Sequence, residues 1–211
     1  MVPPMQVIAF VTQKGGTGKS TLAASLAVAA GEAGERVAVL DLDPQASLIR
    51  WGERREAETP LVDQTTPDKL TAALHTLKDN GYTLAILDTA GIDSAAATAA
   101  MRSADLALIP ARPSLADIEA TRPTYAALSR LNRPYAFVLN QCAPQLKSGR
   151  ITDAAKALSL LGMLAQQTVA LRADHMDAFA LGLGVTEYDP RGKAAGELQS
   201  LWRWAKNKMK G

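Results

Sequence analysis

The chain has 211 residues, 47% of them hydrophobic and 21% charged, with a net charge of +2; that is enough for one α/β domain spanning residues 1–211 and too little charge for a long disordered arm. The single Cys142 excludes a disulfide framework, and the isolated His75 and His175 argue against a Cys/His metal cluster. No stretch approaches about 20 uncharged apolar residues, and Met1–Gln6 has no basic region leading into an apolar one, so neither a spanning helix nor a signal peptide is predicted and a cytoplasmic setting is expected.

The first predicted strand is Val7–Val11. After it comes Gln13-Lys14-Gly15-Gly16-Thr17-Gly18-Lys19-Ser20-Thr21, and then an Ala/Leu-rich helix over 19–33. Strand, glycine-rich turn and Lys-Ser at a helix start form a phosphate-binding loop. Glycines let backbone N–H groups approach an anion, and the helix directs its positive end at it. Lys19 supplies a point charge for the β- and γ-phosphates and Ser20 a hydroxyl ligand for Mg²⁺. One feature departs from the general pattern: Gln13 stands where a first glycine is expected, and a second lysine, Lys14, follows it.

A second strand over 36–41 runs into Asp41-Leu42-Asp43-Pro44-Gln45. Strand alternation places Asp41 and Asp43 on one side, and a carboxylate there orients an attacking water or holds water around Mg²⁺. The segment 53–67, rich in charge, Thr and Pro, reads as an irregular connection, and a helix follows over 68–78. The next strand, Leu84–Asp88, is an apolar run ending in the carboxylate of a Walker B pattern, which holds Mg²⁺ through water. Thr89-Ala90-Gly91 then reads as a loop whose backbone senses the γ-phosphate, followed by a helix over 94–104.

The strand Leu106–Pro110 leads into Pro110-Ala111-Arg112-Pro113-Ser114-Leu115-Ala116-Asp117, where Ser114 caps a helix over 115–131 with Asp117 and Glu119 in its first turn. A strand over 136–140 ends at Asn140-Gln141. A weaker strand is read at Thr168–Leu171, between helices over 151–161 and 194–208. Alternating strands and helices predict an α/β, doubly wound, mostly parallel sheet flanked by helices, with ligands beyond the carboxyl ends of the strands. In the last segment Arg191, Lys193, Arg203, Lys206, Lys208 and Lys210 are opposed by Glu197 alone, a candidate phosphate-backbone patch. Arg150 and Arg172 are secondary candidates. Leu198, Leu201, Trp202, Ala205 and Met209 form an apolar stripe at helical spacing, which suits core packing; with Trp204 it also admits an interfacial membrane helix, the weaker reading.

The segment Lys14–Ser20 resembles the deviant Walker A motif. With Asp41-Leu42-Asp43-Pro44-Gln45, the Walker B strand, the Pro110–Asp117 stretch and the C-terminal region, essentially the whole chain resembles the ParA family of partition ATPases, within the group that also holds MinD and the nitrogenase iron protein. The phosphate loop's position near residue 1 matches the small, ParF-like type. The resemblance implies the deviant Walker A type of P-loop NTPase fold and the cofactors ATP/ADP and Mg²⁺. It implies phosphate contacts from Lys14, Gly15, Gly16, Thr17, Gly18, Lys19, Ser20 and Thr21, and metal support from Ser20, Asp43 and Asp88. It further implies a Lys14 that reaches a partner's phosphates, a water-positioning Asp43 and an Asn140 that contacts adenine. Weak intrinsic ATPase activity, an ATP-dependent homodimer able to build higher assemblies, nonspecific DNA, a ParB-like activator and a nucleoid location are expected on the same ground, with no membrane partner. The rivals are a positioning ATPase for a protein cargo (a chemoreceptor cluster or carboxysome) and a membrane-associated division-site regulator. A metabolic P-loop kinase is disfavoured because no substrate-binding insertion or lid is evident.

Overall fold

The computed structural model describes residues 4–91, 94–144 and 149–210. In chain order the elements are β1 (Gln6–Phe10), α1 (Lys19–Glu32), β2 (Val37–Asp41), α2 (Ser47–Glu53), β3 (Leu61–Gln64), α3 (Leu70–Asp79), β4 (Leu84–Asp88), α4 (Ala95–Ser103) and β5 (Leu106–Ala111). Then follow α5 (Leu115–Ala120), α6 (Arg122–Arg130), β6 (Tyr135–Leu139), α7 (Gly149–Leu161), β7 (Met163–Leu164), α8 (Ala173–Ala180), α9 (Val185–Tyr188) and α10 (Lys193–Met209). The strands form one parallel sheet in the order β3-β2-β4-β1-β5-β6-β7.

Alternation along the strands makes two apolar faces, as expected of a sheet covered on both sides. Ile8, Phe10, Val37, Val39, Leu84 and Ile86 pack on one face against α1, Trp51 and α10. Val7, Ala9, Ala38, Leu40, Ala85 and Leu87 pack on the other against α3, α4, α6 and α7. Helix α1 is buried without interruption from Leu22 to Ala30. Its run of alanines admits the sheet on one side and α8, α9 and α10 on the others, so an amphipathic pattern has no place there.

Four local readings are corrected. The connection over 53–67 contains β3, paired with β2 from Ala38–Leu61 to Asp41–Gln64. Thr168–Leu171 is no strand: only Ala170 forms a bridge, to Cys142, and the edge of the sheet is the two-residue β7. The helix over 115–131 breaks at Thr121, because Pro123 has no N–H to offer a preceding carbonyl and begins α6 as a first-turn residue. Helices α2, α8 and α9 escaped the pattern because they are short and sit on partly exposed surface.

Candidate functional site

The loop between β1 and α1 has the form its composition dictates. Gly18 has a φ of 86°, and a Cβ there would come within 2.6 Å of the Asn140 Nδ2 atom, so both backbone conformation and space require glycine. The close neighbour is a brace: Asn140 Nδ2 donates to the Thr17 carbonyl at 2.7 Å, and Gln141 Nε2 donates to the Gly16 carbonyl at 3.2 Å. Gly15 and Gly16 face open space, with nothing within 4 Å of an added Cβ. No side chain caps the start of α1 and its first turn holds no acidic residue, so its free N–H groups and positive end are available to an anion.

Beneath the loop, β2 and β4 set Asp41 beside Asp88 in register. Ser20 Oγ donates to Asp88 Oδ2 at 2.5 Å, while Asp88 Oδ1 is buried with no partner. Burial, reinforced by Asp41 and Asp43, pushes the Asp88 carboxyl up to about 7 against the Ser20 hydroxyl and the Lys19 charge. Burial likewise lowers the Lys19 ammonium from its ordinary value, with Asp88 and Asp43 opposing that loss. The two acids after β2 have separate tasks. Asp41 is wholly buried and accepts N–H groups from Asp43, Leu48 and Ile49, which fastens the turn into α2. Asp43 is half-buried, and its carboxylate accepts only the Gln45 N–H among the described hydrogen bonds. Asp41 is thus structural, and Asp43 remains to face Lys19.

Lys14 takes a different direction from Lys19. It is 31% exposed and its Nζ lies 3.1 Å from Asp117 Oδ1, which also accepts Arg112 Nε–H at 3.0 Å. The other Asp117 oxygen pairs with the Ser114 hydroxyl, which in turn accepts the Asp117 N–H as the cap of α5. Burial alone would raise the Asp117 carboxyl; Ser114, Arg112 and Lys14 outweigh it and hold it below its ordinary value. On the other flank Gly91 presses against the loop, since a Cβ there would sit 3.0 Å from the Gly15 nitrogen. The loop after the Walker B strand therefore touches the phosphate loop backbone directly.

Residues 8–195 match the family described as the CobQ/CobB/MinD/ParA nucleotide binding domain. The chain belongs to this family. A protein named maintenance of carboxysome distribution protein A, from Gloeobacter kilaueensis, is 32% identical over 204 residues, 94% of this chain and 91% of the relative. Protein ParA of Rhizobium radiobacter is 36% identical over 118 residues, 54% of this chain and 51% of that protein. Among solved structures, the septum site-determining protein MinD of Pyrococcus horikoshii, complexed with Mg-ADP, superposes with a TM-score of 0.78 at 20% identity over 98% of both chains, which establishes the shared fold.

A nucleotide-binding P-loop family implies a bound nucleotide and Mg²⁺, and the residues fit both. The open glycine cradle and uncapped α1 suit phosphates. The partnerless Asp88 oxygen beside the Ser20 hydroxyl suits a hard cation held by oxygens, and among the described residues no trio of His, Cys, Asp or Glu offers another such place.

Beside the loop, a cavity of about 220 Å³ is bounded by Gly18, Thr21, Asn140, Leu171, His175 and Met176. Leu171 and Met176 are exposed apolar side chains at its mouth, which suits the faces of a nucleobase. Motif reading missed this wall, because α8 and the turn before it carry no pattern of their own. Asn140, expected to contact adenine, lines this cavity, and its amide is engaged with Thr17.

The basic candidates separate. Arg172 pairs with Glu197 at 2.7 Å and lines the cavity beside the loop. Lys206 pairs with Glu35 at 2.5 Å over the Trp202 ring. Glu197 is therefore not the sole opposing acid; Glu35, distant in sequence, neutralises part of the segment. Arg203, Lys208, Lys210 and Arg150 are exposed. The apolar stripe of α10 faces inward, with Trp202 and Trp204 both in the core, and no helix among the described residues is long and apolar enough to cross a membrane.

Proposed function

We propose that this chain is a positioning ATPase of the ParA kind, a switch that dimerises on ATP, holds nonspecific DNA as a dimer and is released after hydrolysis stimulated by a ParB-like activator. The observation that carries the reading is the contrast between two lysines of one loop. Lys19 is buried at the cradle, whereas Lys14 stands on the outer wall, partly exposed and held by Asp117. A lysine in that place serves a phosphate that approaches from outside, as in two nucleotide sites set face to face.

In this reading Lys19 and the loop amides bind phosphates, and Mg²⁺, when bound, neutralises phosphate charge beside Ser20 and Asp88. Asp43 orients the attacking water. Asn140 acts by bracing the loop at the base-side cavity. The DNA patch is narrowed to Arg203, Lys208 and Lys210, with Arg150 on another surface, since Arg172 and Lys206 already have carboxylate partners. The inward Trp202 and Trp204 support DNA over a membrane surface.

A protein cargo is a second reading, supported by the carboxysome-distribution relative that matches 94% of the chain. Light scattering with a nonhydrolysable ATP analogue tests the switch. Wild type doubles its mass, and Lys14→Ala binds the nucleotide but stays monomeric; a wild type that stays monomeric overturns the proposal. Gel shifts on unrelated duplexes test the DNA patch. ATP-dependent, steeply salt-sensitive binding that is lost in Arg203→Glu/Lys208→Glu/Lys210→Glu supports it, and its absence overturns the DNA part of the reading. The neighbouring gene separates the cargoes: a small DNA-binding protein with a basic tail for DNA, or a chemotaxis or shell gene for a protein cargo.

A further inference from the structure

A separate cavity of about 210 Å³ lies between α4 and α6. Ala97 and Met101 form one wall, Thr124 and Ala127 the other, and Thr12 and Gln13 the floor. The volume corresponds to roughly seven waters of liquid, the room one large side chain needs. Thr124 is only 4% exposed, and its hydroxyl has no hydrogen-bond partner. Its neighbour Thr121, by contrast, donates to the Ile118 carbonyl. Buried hydroxyls normally find partners, so an orphan on a cavity wall points to an occupant that supplies one.

The rim has one sign of charge. Arg130 lines the cavity, and Arg102 follows Thr98 by one helical turn on α4, which places it on the same face. Arg122 opens α6. All three are exposed, and none of the ion pairs among the described residues engages them. Neither α4 nor α6 contains an acidic residue. A small socket with apolar walls inside a cationic rim has the anatomy of a protein hot spot rather than of a phosphate-backbone groove, which would gain nothing from Ala97, Met101 and Ala127.

We propose that the α4–α6 cavity docks an acidic segment of a partner protein, one side chain entering beside the Thr124 hydroxyl and carboxylates meeting Arg102 and Arg130. The docked segment touches the route to the nucleotide. The Lys14 N–H donates to Thr12 Oγ1 at 3.4 Å, and α4 starts soon after the loop that carries Gly91 against Gly15. Any effect on turnover rests on the ATPase reading above; the docking itself does not.

Fluorescence anisotropy with a labelled twelve-residue peptide of alternating glutamate and leucine, against its lysine counterpart, tests the site without nucleotide. The glutamate peptide binds wild type and the lysine peptide does not. Arg102→Glu/Arg130→Glu, confined to exposed positions, and the cavity-filling Ala127→Trp each weaken binding about tenfold or more, and Thr124→Val weakens it a few-fold at unchanged melting temperature. No binding to wild type, equal binding of both peptides, or affinity unchanged in Arg102→Glu/Arg130→Glu overturns the proposal. So does unrelated duplex DNA that requires these arginines while the glutamate peptide does not bind. ATP turnover is measured in parallel: peptide binding without turnover defeats the ATPase reading and leaves the docking site standing, and the reverse result defeats the docking site alone.

Discussion

Two carboxylates withdrawn from water show opposite designs. Glu187 has both oxygens engaged at 2.9 Å by the terminal nitrogens of Arg55, itself stacked over the Trp51 ring, and it also accepts the Gly184 N–H. Burial would raise its carboxyl, but Arg55 and the Gly184 amide outweigh that and hold it below its ordinary value. Asp88, under the phosphate loop, has one oxygen on Ser20 and the other on nothing, and its carboxyl is pushed up to about 7. Both oxygens of the Glu187 carboxylate are met within the chain, although the Arg55 Nε beside it is not; the Asp88 carboxylate keeps one oxygen that nothing in the chain meets. Unmet demand at the carboxylate itself, more than burial or charge, separates this structural acid from the candidate ligand-holding one.

The largest effect expected on the structural side is Trp202→Ala. Trp202 is 2% exposed on the core-facing side of α10, so its loss costs about 3–5 kcal/mol in urea unfolding while nucleotide affinity of the folded protein is unchanged. On the ligand side, Lys19→Ala weakens ATP binding about a hundredfold, roughly 2.7 kcal/mol, by calorimetry, with little change in the melting temperature of the ligand-free protein. Comparable losses of stability and affinity in either variant would break the contrast.

Glu187→Gln sharpens it. Because the folded Glu187 carboxyl lies below its ordinary 4.5, the pair contributes stability above that pH and loses it as pH falls through the folded value. The substitution is expected to cost about 1–3 kcal/mol at pH 7, with the difference from wild type shrinking below about pH 4.5 in denaturant titrations. Asp88→Asn carries the smallest and most diagnostic change. It raises the stability of the ligand-free protein by about 1 kcal/mol, since burial penalises the charged Asp88 carboxylate more than Ser20 and Lys19 compensate, yet it weakens the Mg²⁺-dependent gain in melting temperature that nucleotide provides. A loss of ligand-free stability would make Asp88 a structural residue like Glu187.

Local order in the chain determined much of this. The phosphate loop, Asp43 and Asp88 were legible because each is a short motif at a strand's end, and a parallel sheet brings such ends together whatever the rest does. The core strands were legible too, since burial on both faces leaves continuous apolar runs such as Leu84–Leu87. What the tertiary structure alone decided are pairings between distant segments: Lys206 with Glu35, Arg172 with Glu197, Asn140 with Thr17 and Asp117 with Lys14. The edge elements β3 and β7 likewise depend on a neighbouring strand for their hydrogen bonds. The physical reason is the same throughout. A charge or a short strand carries no mark of its partner, and only the closed fold brings the two within reach.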